Sequence, residues 1–168
     1  MRPSTVTALL AGLLLCSPAM ANPQVKPEGQ PQRLPIEAHV KFGGRRIELE
    51  VASTPMQQQI GLMFRTSMPI DHGMAFLFDP PRPTRFWMRN TLIPLDMLFV
   101  SQGKIAYIAT NVPPCKTPGC PTYGPADFNT LTDTVIELNA GMAQKLQIKT
   151  GDPAKVEFLG TTPSPPKP

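Results

Sequence analysis

Two alternating segments joined by a glycine pair constrain the fold of this chain more than any other feature. Apolar residues recur at every second position over 36–42 and again over 47–51, with polar residues between them. A two-residue loop of Gly43-Gly44 favours the primed turns that close an antiparallel hairpin. The register that follows pairs apolar residues on one face: Val40 with Ile47, Ala38 with Leu49, and Ile36 with Val51. His39 falls on the polar face, where we expect it to be exposed.

The rest of the central chain consists of short apolar runs separated by turn-forming residues. Thr54 and Pro55 are typical of a helix start, and we expect a short helix that ends near Met63, with Met56 and Met63 on its buried stripe. A further helical turn or two is expected within 139–146. The runs that predict strands are 74–78, 84–89, 95–100, 105–109, 135–138 and 155–159. This pattern favours a mainly β fold, a compact β-sandwich or barrel-like single domain with one or two short helices.

The N-terminal residues have the pattern of a cleavable secretory signal. Arg2 precedes the apolar run 6–15, and Ala19-Met20-Ala21 places small residues before the expected cleavage after Ala21. The run is shorter than the about 20 residues that span a membrane. Leu15 stands where a lipoprotein signal has a small residue, which argues against lipidation of Cys16. The sequence predicts a periplasmic or secreted protein with no membrane span after cleavage.

Four regions follow from this pattern. The signal peptide occupies 1–21, and the proline-rich, polar segment 22–35 predicts a disordered leader. The folded domain then covers 36–160, and 161–168 forms a disordered tail. The formal net charge is +4, and the Lys and Arg residues are spread along the chain rather than clustered. A nucleic-acid partner is therefore not expected.

Cys115 and Cys120 are the cysteines that remain after cleavage, in the sequence Cys-Lys-Thr-Pro-Gly-Cys. In an oxidising compartment, two cysteines in such a loop favour a disulfide that fixes the loop. A redox-active pair is the alternative, although the spacing is not Cys-x-x-Cys. A metal site is less favoured because no second pair of ligands accompanies them. No bound metal and no cofactor are expected.

The segment around the single tryptophan carries the richest polar and aromatic pattern. In an extended strand Trp87 and Arg89 point to the same side. An aromatic face beside a guanidinium can hold a planar or sugar-like ligand, whereas a buried core tryptophan is the alternative. Asp96 lies among apolar residues, so we expect it to be buried and paired with Arg65, Arg89 or His72. It is either a structural carboxylate or one that contacts a ligand or acts in catalysis.

Asn90, His72, Tyr123 and Glu137 complete the candidate ligand-binding residues. His72 can act as a general base, a metal ligand or a turn residue. Tyr123 follows the cysteine loop and its hydroxyl can close over a cleft, and Glu137 lies between apolar residues of a strand at the expected rim. Neither Gly-x-Ser-x-Gly nor His-Glu-x-x-His occurs in the chain, so no catalytic residue is assigned.

Several methionines lie near His72 in the sequence, and thioether and imidazole ligands together suit copper(I). Methionine is also a common core residue, which gives the same residues a purely structural interpretation. The methionines concerned are Met56, Met63, Met68, Met74, Met88 and Met97.

Several motifs of the chain resemble those of the DUF192 family. The resemblance covers roughly 36–159 and implies a mainly β, sandwich-like domain with a short helix. It also implies frequent export, often with a leader and a disulfide-bearing loop, and it implies no activity. The family often has Lys where this chain has Arg89, which keeps the charge but changes the hydrogen-bond geometry. The motifs are Gly61–Arg65, His72–Met74, Phe86–Asp96, Pro113–Cys115, Cys120–Tyr123, Glu137–Gly141 and Ile148–Asp152.

Three hypotheses for function remain open. The first is a monomeric, exported binding module whose Trp87, Arg65 and Asp96 line a cleft for a small ligand, a glycan or a segment of an envelope protein. The second is a hydrolase that uses Asp96 and His72 as an acid–base pair. The third is a periplasmic copper carrier. The absence of a catalytic motif favours the binding module.

Overall fold

The computed structural model describes residues 29–160. The predicted signal peptide, Cys16, the first part of the predicted leader and the predicted tail lie outside the described residues. Within 29–160 the chain forms nine strands and two short helices, neither of which has the length and apolar character needed to cross a membrane. The elements are β1 (Ile36–Phe42), β2 (Arg45–Ala52), α1 (Pro55–Ile60), β3 (His72–Arg82), β4 (Phe86–Trp87), β5 (Leu95–Ser101), β6 (Lys104–Val112), β7 (Thr122–Tyr123), β8 (Thr132–Asn139), α2 (Met142–Lys145) and β9 (Glu157–Phe158).

Seven strands form one mixed sheet in the order β6-β5-β8-β3-β2-β1-β9, and β4 pairs with β7 in a separate two-stranded ribbon. β2 and β3 are parallel, so α1 and the loop after it form the crossover between them. The architecture is mainly β with two short helices, as predicted. The strand pairing does not close into a barrel, because the sheet ends at β6 and β9. Backbone hydrogen bonds join 151–154, in the segment that precedes β9, to 103–105 at the start of β6.

The first hairpin has the predicted register over most of its length. The pairs Val40 with Ile47 and Ala38 with Leu49 are confirmed. Ile36 pairs with Glu50 rather than with Val51, because a register shift lies between Ile36 and Ala38. The bulge costs one apolar pair, but the buried face is otherwise kept.

His39 is buried rather than exposed as predicted. β9 pairs with β1 beside it, and Glu157 Oε2 lies 2.9 Å from His39 Nε2. The strand that covers His39 comes from the far end of the domain, which the local alternation of β1 cannot indicate.

Helix α1 begins as predicted and ends early. The side chain of Thr54 accepts a hydrogen bond from the backbone N–H of Gln57, whose side chain bonds back in a capping box. The α-helix ends at Ile60 rather than near Met63. Met56 is 65% exposed, so the predicted buried stripe is wrong. Six residues are too few to present a continuous apolar face.

The two faces of the seven-stranded sheet carry separate apolar clusters, because successive side chains of a strand point to opposite faces. The inner face includes Ile136 and Leu138 of β8 and is covered by α2 and the segment 146–156. The outer face includes Val135 of β8 and is covered by the loop after α1 and by β4. Glu137 shares the outer face with Val135, so β8 places a carboxyl among apolar side chains.

Candidate functional site

A groove lies between α1 and β4 on the outer face of the sheet. It consists of two hollows that share Gln58, Gln59, Phe86 and Trp87 in their walls. Both hollows lie on the outer face of the sheet, and the words outer and inner refer here to the hollows themselves. The outer hollow has a volume of about 320 Å³, and the inner hollow, which Glu137 lines, has a volume of about 40 Å³. We refer to the two together as the Trp87 groove.

Strand alternation on β4 makes Trp87 an accessible wall of this groove. Phe86 packs edge-on against Phe76, with ring centroids 4.9 Å apart, and Met88 is 1% exposed. Trp87 lies between them in sequence, points outward and is 45% exposed. Its pairing with Thr122 of β7 holds it in the two-stranded ribbon. The alternative of a buried core tryptophan therefore does not apply.

Arg89 and Asn90 support this wall without lining the groove. The Cζ atom of Arg89 lies 5.5 Å from the ring centroid of Trp87, within cation–π range. Asn90 has a φ of 57°, and its carbonyl accepts a 2.8 Å hydrogen bond from the N–H of Phe64. Neither side chain belongs to the walls of the two hollows. Arg89 and Asn90 were predicted to bind a ligand, but here they contact neighbouring residues of the protein.

Glu137 has a strongly perturbed acidity. It is 5% exposed, and burial raises the pKa of its carboxyl from 4.5 to about 8, against the opposing effect of the Arg65 charge. Its cross-strand neighbours are Met74 on β3 and Met97 on β5, both fully buried. Within residues 29–160 the carboxyl has no hydrogen-bond or ion-pair partner. At pH 7 it is therefore mostly protonated and neutral.

Arg65 is buried and its charge is matched by Glu50. Its Nη1 and Nη2 atoms donate to the two carboxylate oxygens of Glu50, each at 2.6 Å. Nη2 also donates to the carbonyl of Gln32 at 2.7 Å, and the N–H of Leu34 donates to Glu50 at 2.7 Å. Residues 32 and 34, which the sequence assigns to the leader, thus contact this ion pair. The Nε atom of Arg65 is buried without a partner among the described residues.

The polar side chains of the outer hollow are mostly engaged within the protein. Gln58 Nε2 donates to a backbone carbonyl of β3 at 2.6 Å. Arg85 donates to the side chain and the carbonyl of Thr122 at 2.9 and 2.8 Å. Arg82 lies over the ring of Phe78, 4.7 Å from its centroid. The amide of Gln59 is exposed and lines this hollow without a bond to another described residue, and the exposed guanidinium of Arg82 makes one side-chain hydrogen bond, to Gln58 at 3.4 Å, so these two groups can meet a ligand.

Asp96 is completely buried, but on the inner face of the sheet. Its Oδ1 atom accepts the N–H of Asn111 and its Oδ2 atom accepts the N–H of Ala143, both at 2.7 Å. Ala143 lies in the first turn of α2, so the carboxylate ties this helix to β6. Its partners are backbone amides rather than one of the three cations predicted from the sequence.

His72 is the first residue of β3 and lies on the outer face with Met74 and Phe76. Its Nδ1 atom is 2.9 Å from the Oδ1 atom of Asp71. Asp96 pairs with Leu138 on β8, and Leu138 pairs with Gly73 on β3, so Asp96 is on the same face as Gly73 and not as its neighbour His72. His72 and Asp96 therefore point to opposite faces, and the predicted acid–base pair does not converge.

Cys115 and Cys120 form a disulfide with a Cα–Cα distance of 5.8 Å. The loop that it closes leads into β7, where Tyr123 pairs with Phe86. Tyr123 is half-buried against the outer apolar cluster and does not line the groove. The disulfide thus fixes the chain that leads to the partner strand of β4.

Four of the six predicted copper ligands are core methionines of one apolar cluster, whereas Met56 is 65% exposed. Met68, Met74, Met88 and Met97 belong to the outer apolar cluster. In the part of the chain that the structure describes, no three His, Cys, Asp or Glu side chains come together where they could share a metal ion.

Sequence reasoning missed the end of α1 as a wall of the site. Gly61 follows the helix with a φ of 49°, and a Cβ atom there would lie 3.1 Å from the ring of Phe76. The absence of a side chain lets the backbone approach the ring and line the inner hollow. The polar run 57–59, which ends two residues before this glycine, is the sequence signal that could have indicated an exposed helix end.

Comparisons with known proteins support the fold and leave the chemistry open. The DUF192 family, described as an uncharacterized ACR, matches residues 38–156. A protein of unknown function from Novosphingobium aromaticivorans is 33% identical, with a TM-score of 0.63 over 80% of this chain and 99% of that chain. A putative transcription regulator from Sinorhizobium meliloti is also 33% identical, with a TM-score of 0.60 over 71% of this chain and 92% of that chain. No curated protein matches the chain.

Proposed function

The chain belongs to the DUF192 family, and from that premise we propose that it is an exported binding module that holds a peptide segment in the Trp87 groove. The observation that carries this proposal is the junction of the two hollows. An indole that is 45% exposed forms the wall shared by an open hollow and a small inner one, and the carboxyl of Glu137, whose pKa is raised by burial, lines the inner one. Exposed aromatic rings beside a buried group of strongly shifted pKa are typical of binding sites.

The walls of the outer hollow favour a peptide over a glycan. Phe78 and Phe86 provide apolar surface beneath Trp87. Gln58 and Arg85 are engaged within the protein, which lowers the number of polar groups that can bond a ring of hydroxyls. A peptide offers apolar side chains for the rings and leaves its polar backbone toward solvent.

Export is the second part of the proposal. A disulfide is present between Cys115 and Cys120, which fits an oxidising compartment. The N-terminal sequence has the order of charge, apolar run and small residues that signal peptidases recognise. Expression of the full chain in bacteria, cell fractionation and N-terminal sequencing test this directly. We expect a periplasmic product that begins at Asn22, and a cytoplasmic product that retains Met1 would contradict it.

Binding can be followed through the single tryptophan of the chain, which lies in the proposed site. We expect members of a panel of short peptides to shift the emission of Trp87, because a ligand would replace water at its exposed face. Calorimetry on the same samples separates binding from quenching. Gln59→Arg places a long side chain at the mouth shared by the two hollows and is expected to weaken binding about tenfold.

Gln144→Arg on α2 is the matched control, because it makes the same change on the other side of the sheet. Equal loss in both variants would locate binding elsewhere. Response to envelope glycans but to no peptide would overturn the choice of ligand class. If no ligand changes the Trp87 emission or gives a heat of binding while the fold is intact, the proposed function is wrong.

The Sinorhizobium protein is named as a regulator of transcription, and we do not extend that role to this chain. The lysines and arginines are spread along the sequence, and the two arginines at the groove contact protein groups. Nucleic-acid binding is favoured by free cations that cluster on one face.

A further inference from the structure

We propose that the inner hollow receives an unbranched primary ammonium group, with the carboxyl of Glu137 as its counter-ion and the rings of Trp87 and Phe86 beside its alkyl stem. This inference rests on the proposed function and names the chemical group that the groove selects. Such a group occurs on a lysine side chain of a peptide and on a free alkyl diamine.

The size of the hollow limits what can enter it. A volume of about 40 Å³ is several times the about 10–15 Å³ needed to hold one water molecule. An –NH₃⁺ group with part of its methylene stem is comparable to that space. A guanidinium group is wider and planar, and a sugar ring is larger still, so an unbranched ammonium group is the smallest of the three for this space.

The walls suit the two parts of an alkylammonium group. Leu62, Phe76 and Phe86 present apolar surface, which favours the methylene stem. Trp87 and Phe86 also line the hollow, and aromatic rings attract a cation that has left water. Thr91 lines the same hollow and adds a hydroxyl that can accept an N–H from the ligand.

Glu137 supplies the charge that an ammonium group needs after it has left water. It lines the hollow, is 5% exposed and has no partner among residues 29–160. Burial keeps the carboxyl neutral by raising its pKa to about 8, because desolvation outweighs the opposing charge of Arg65. A cation that enters the hollow favours the ionised carboxyl and so lowers the pKa of Glu137. Binding is therefore coupled to the loss of a proton from Glu137.

The remaining charges around Glu137 do not block a cation. Met74, Phe76 and Met97 face it from β3 and β5, and none of them titrates. α1 contributes only the amides of Gln58 and Gln59, and β4 contributes aromatic rings. Arg65, from the loop after α1, is the positive charge that acts on the carboxyl. Glu50 on β2 bonds both terminal nitrogens of Arg65, so this pair carries no net charge.

The test uses the mature chain and three matched peptides that differ at one position, which carries lysine, Nε-acetyl-lysine or norleucine. We expect binding by the lysine peptide and loss of most of it with the two uncharged analogues. Between pH 7 and pH 9 the affinity for the lysine peptide should rise about tenfold, because the fraction of ionised Glu137 rises by that factor while lysine stays protonated. Calorimetry at pH 7 in two buffers of different ionisation enthalpy should show net release of protons on binding of the lysine peptide.

Glu137→Gln is the decisive variant, because glutamine has nearly the shape of the neutral carboxyl but cannot ionise. We expect it to fold, to bind the lysine peptide weakly, and to show neither the pH dependence nor the proton release. Glu37→Gln on β1 removes a carboxylate outside the groove and should behave as the unaltered protein. 1,5-Diaminopentane identifies the source: binding as tight as that of the peptide indicates a free amine, and much weaker binding indicates a lysine side chain.

The results separate this inference from the proposed function. Equal affinity for the lysine, acetyl-lysine and norleucine peptides would overturn the ammonium site and leave a peptide groove. Lysine-dependent binding that Glu137→Gln does not alter would also overturn it, because the counter-ion would lie elsewhere. Absence of binding by every peptide would remove the proposed function itself.

Discussion

Replacement of Glu137 by glutamine should stabilise the protein at neutral pH. In the unfolded chain the carboxyl ionises with a pKa near 4.5, whereas in the fold burial raises the pKa to about 8. Between these values the unfolded state has lost a proton that the folded state keeps. The free energy of unfolding therefore falls as pH rises from about 4.5, and it levels off only above about pH 8.

The size of the effect follows from the same two values. Between the two pKa values, each pH unit lowers the free energy of unfolding by about 1.4 kcal/mol. At pH 7 the folded state is therefore destabilised by roughly 3 kcal/mol relative to one with a neutral side chain at this position. Glu137→Gln removes that term while keeping the volume of the side chain. We expect the two proteins to be equally stable near pH 4.5, and the variant to be more stable by roughly 3 kcal/mol at pH 7.

Urea unfolding, followed by far-ultraviolet circular dichroism at pH 4.5, 6, 7 and 8, measures this difference. Glu37→Gln on β1 controls for the loss of a carboxylate as such and should change little. A carboxyl ¹³C resonance assigned to Glu137 should titrate near pH 8. A variant whose stability relative to the unaltered protein is the same at every pH would refute the reasoning, because Glu137 would then titrate at its ordinary pKa. A group that destabilises the fold at neutral pH is typical of a functional site, where binding rather than stability is selected.

Three further outcomes test the structural assignments. Asp96→Asn should lower the free energy of unfolding by about 2–3 kcal/mol at pH 7, because an amide cannot accept both backbone N–H bonds as the carboxylate does; an unaltered urea midpoint would contradict this. Arg65→Met should lower the free energy of unfolding by about 3–5 kcal/mol, because it leaves Glu50 buried and unpaired. The double variant with Glu50→Gln should recover part of that loss, which a double-mutant cycle measures. Serine at both Cys115 and Cys120 should cost about 2 kcal/mol by the loop-entropy relation and shift the tryptophan emission, while loss of all structure would assign the disulfide a larger role.

The sequence alone determined most of the secondary structure, because that depends on neighbours in the chain. Alternation around Gly43-Gly44 set the hairpin and all but one of its apolar pairs. Thr54 and Pro55 set the start of α1 through a local capping box. The cysteine spacing indicated the disulfide, and the alternation around Trp87 indicated which side chains share its side.

Tertiary structure decided which of the candidate residues meet. Asp96 and Glu137 are both acidic residues in apolar strands, and no local pattern separates them. A strand offset of one residue sends Asp96 to the inner face, where two backbone N–H groups bind it, and Glu137 to the outer face, where no residue of 29–160 forms a hydrogen bond to it. That difference makes one carboxylate structural and leaves the other available to a ligand.

The groove also depends on segments that are distant in the sequence. Its walls come from α1 and β4, and the carboxyl comes from β8, so only the packing of these elements creates the hollow. Burial of His39 by β9 has the same origin. The order of residues fixes which side of its strand each side chain faces, but the solvent exposure and the charge state of a side chain depend on what the folded chain packs against it.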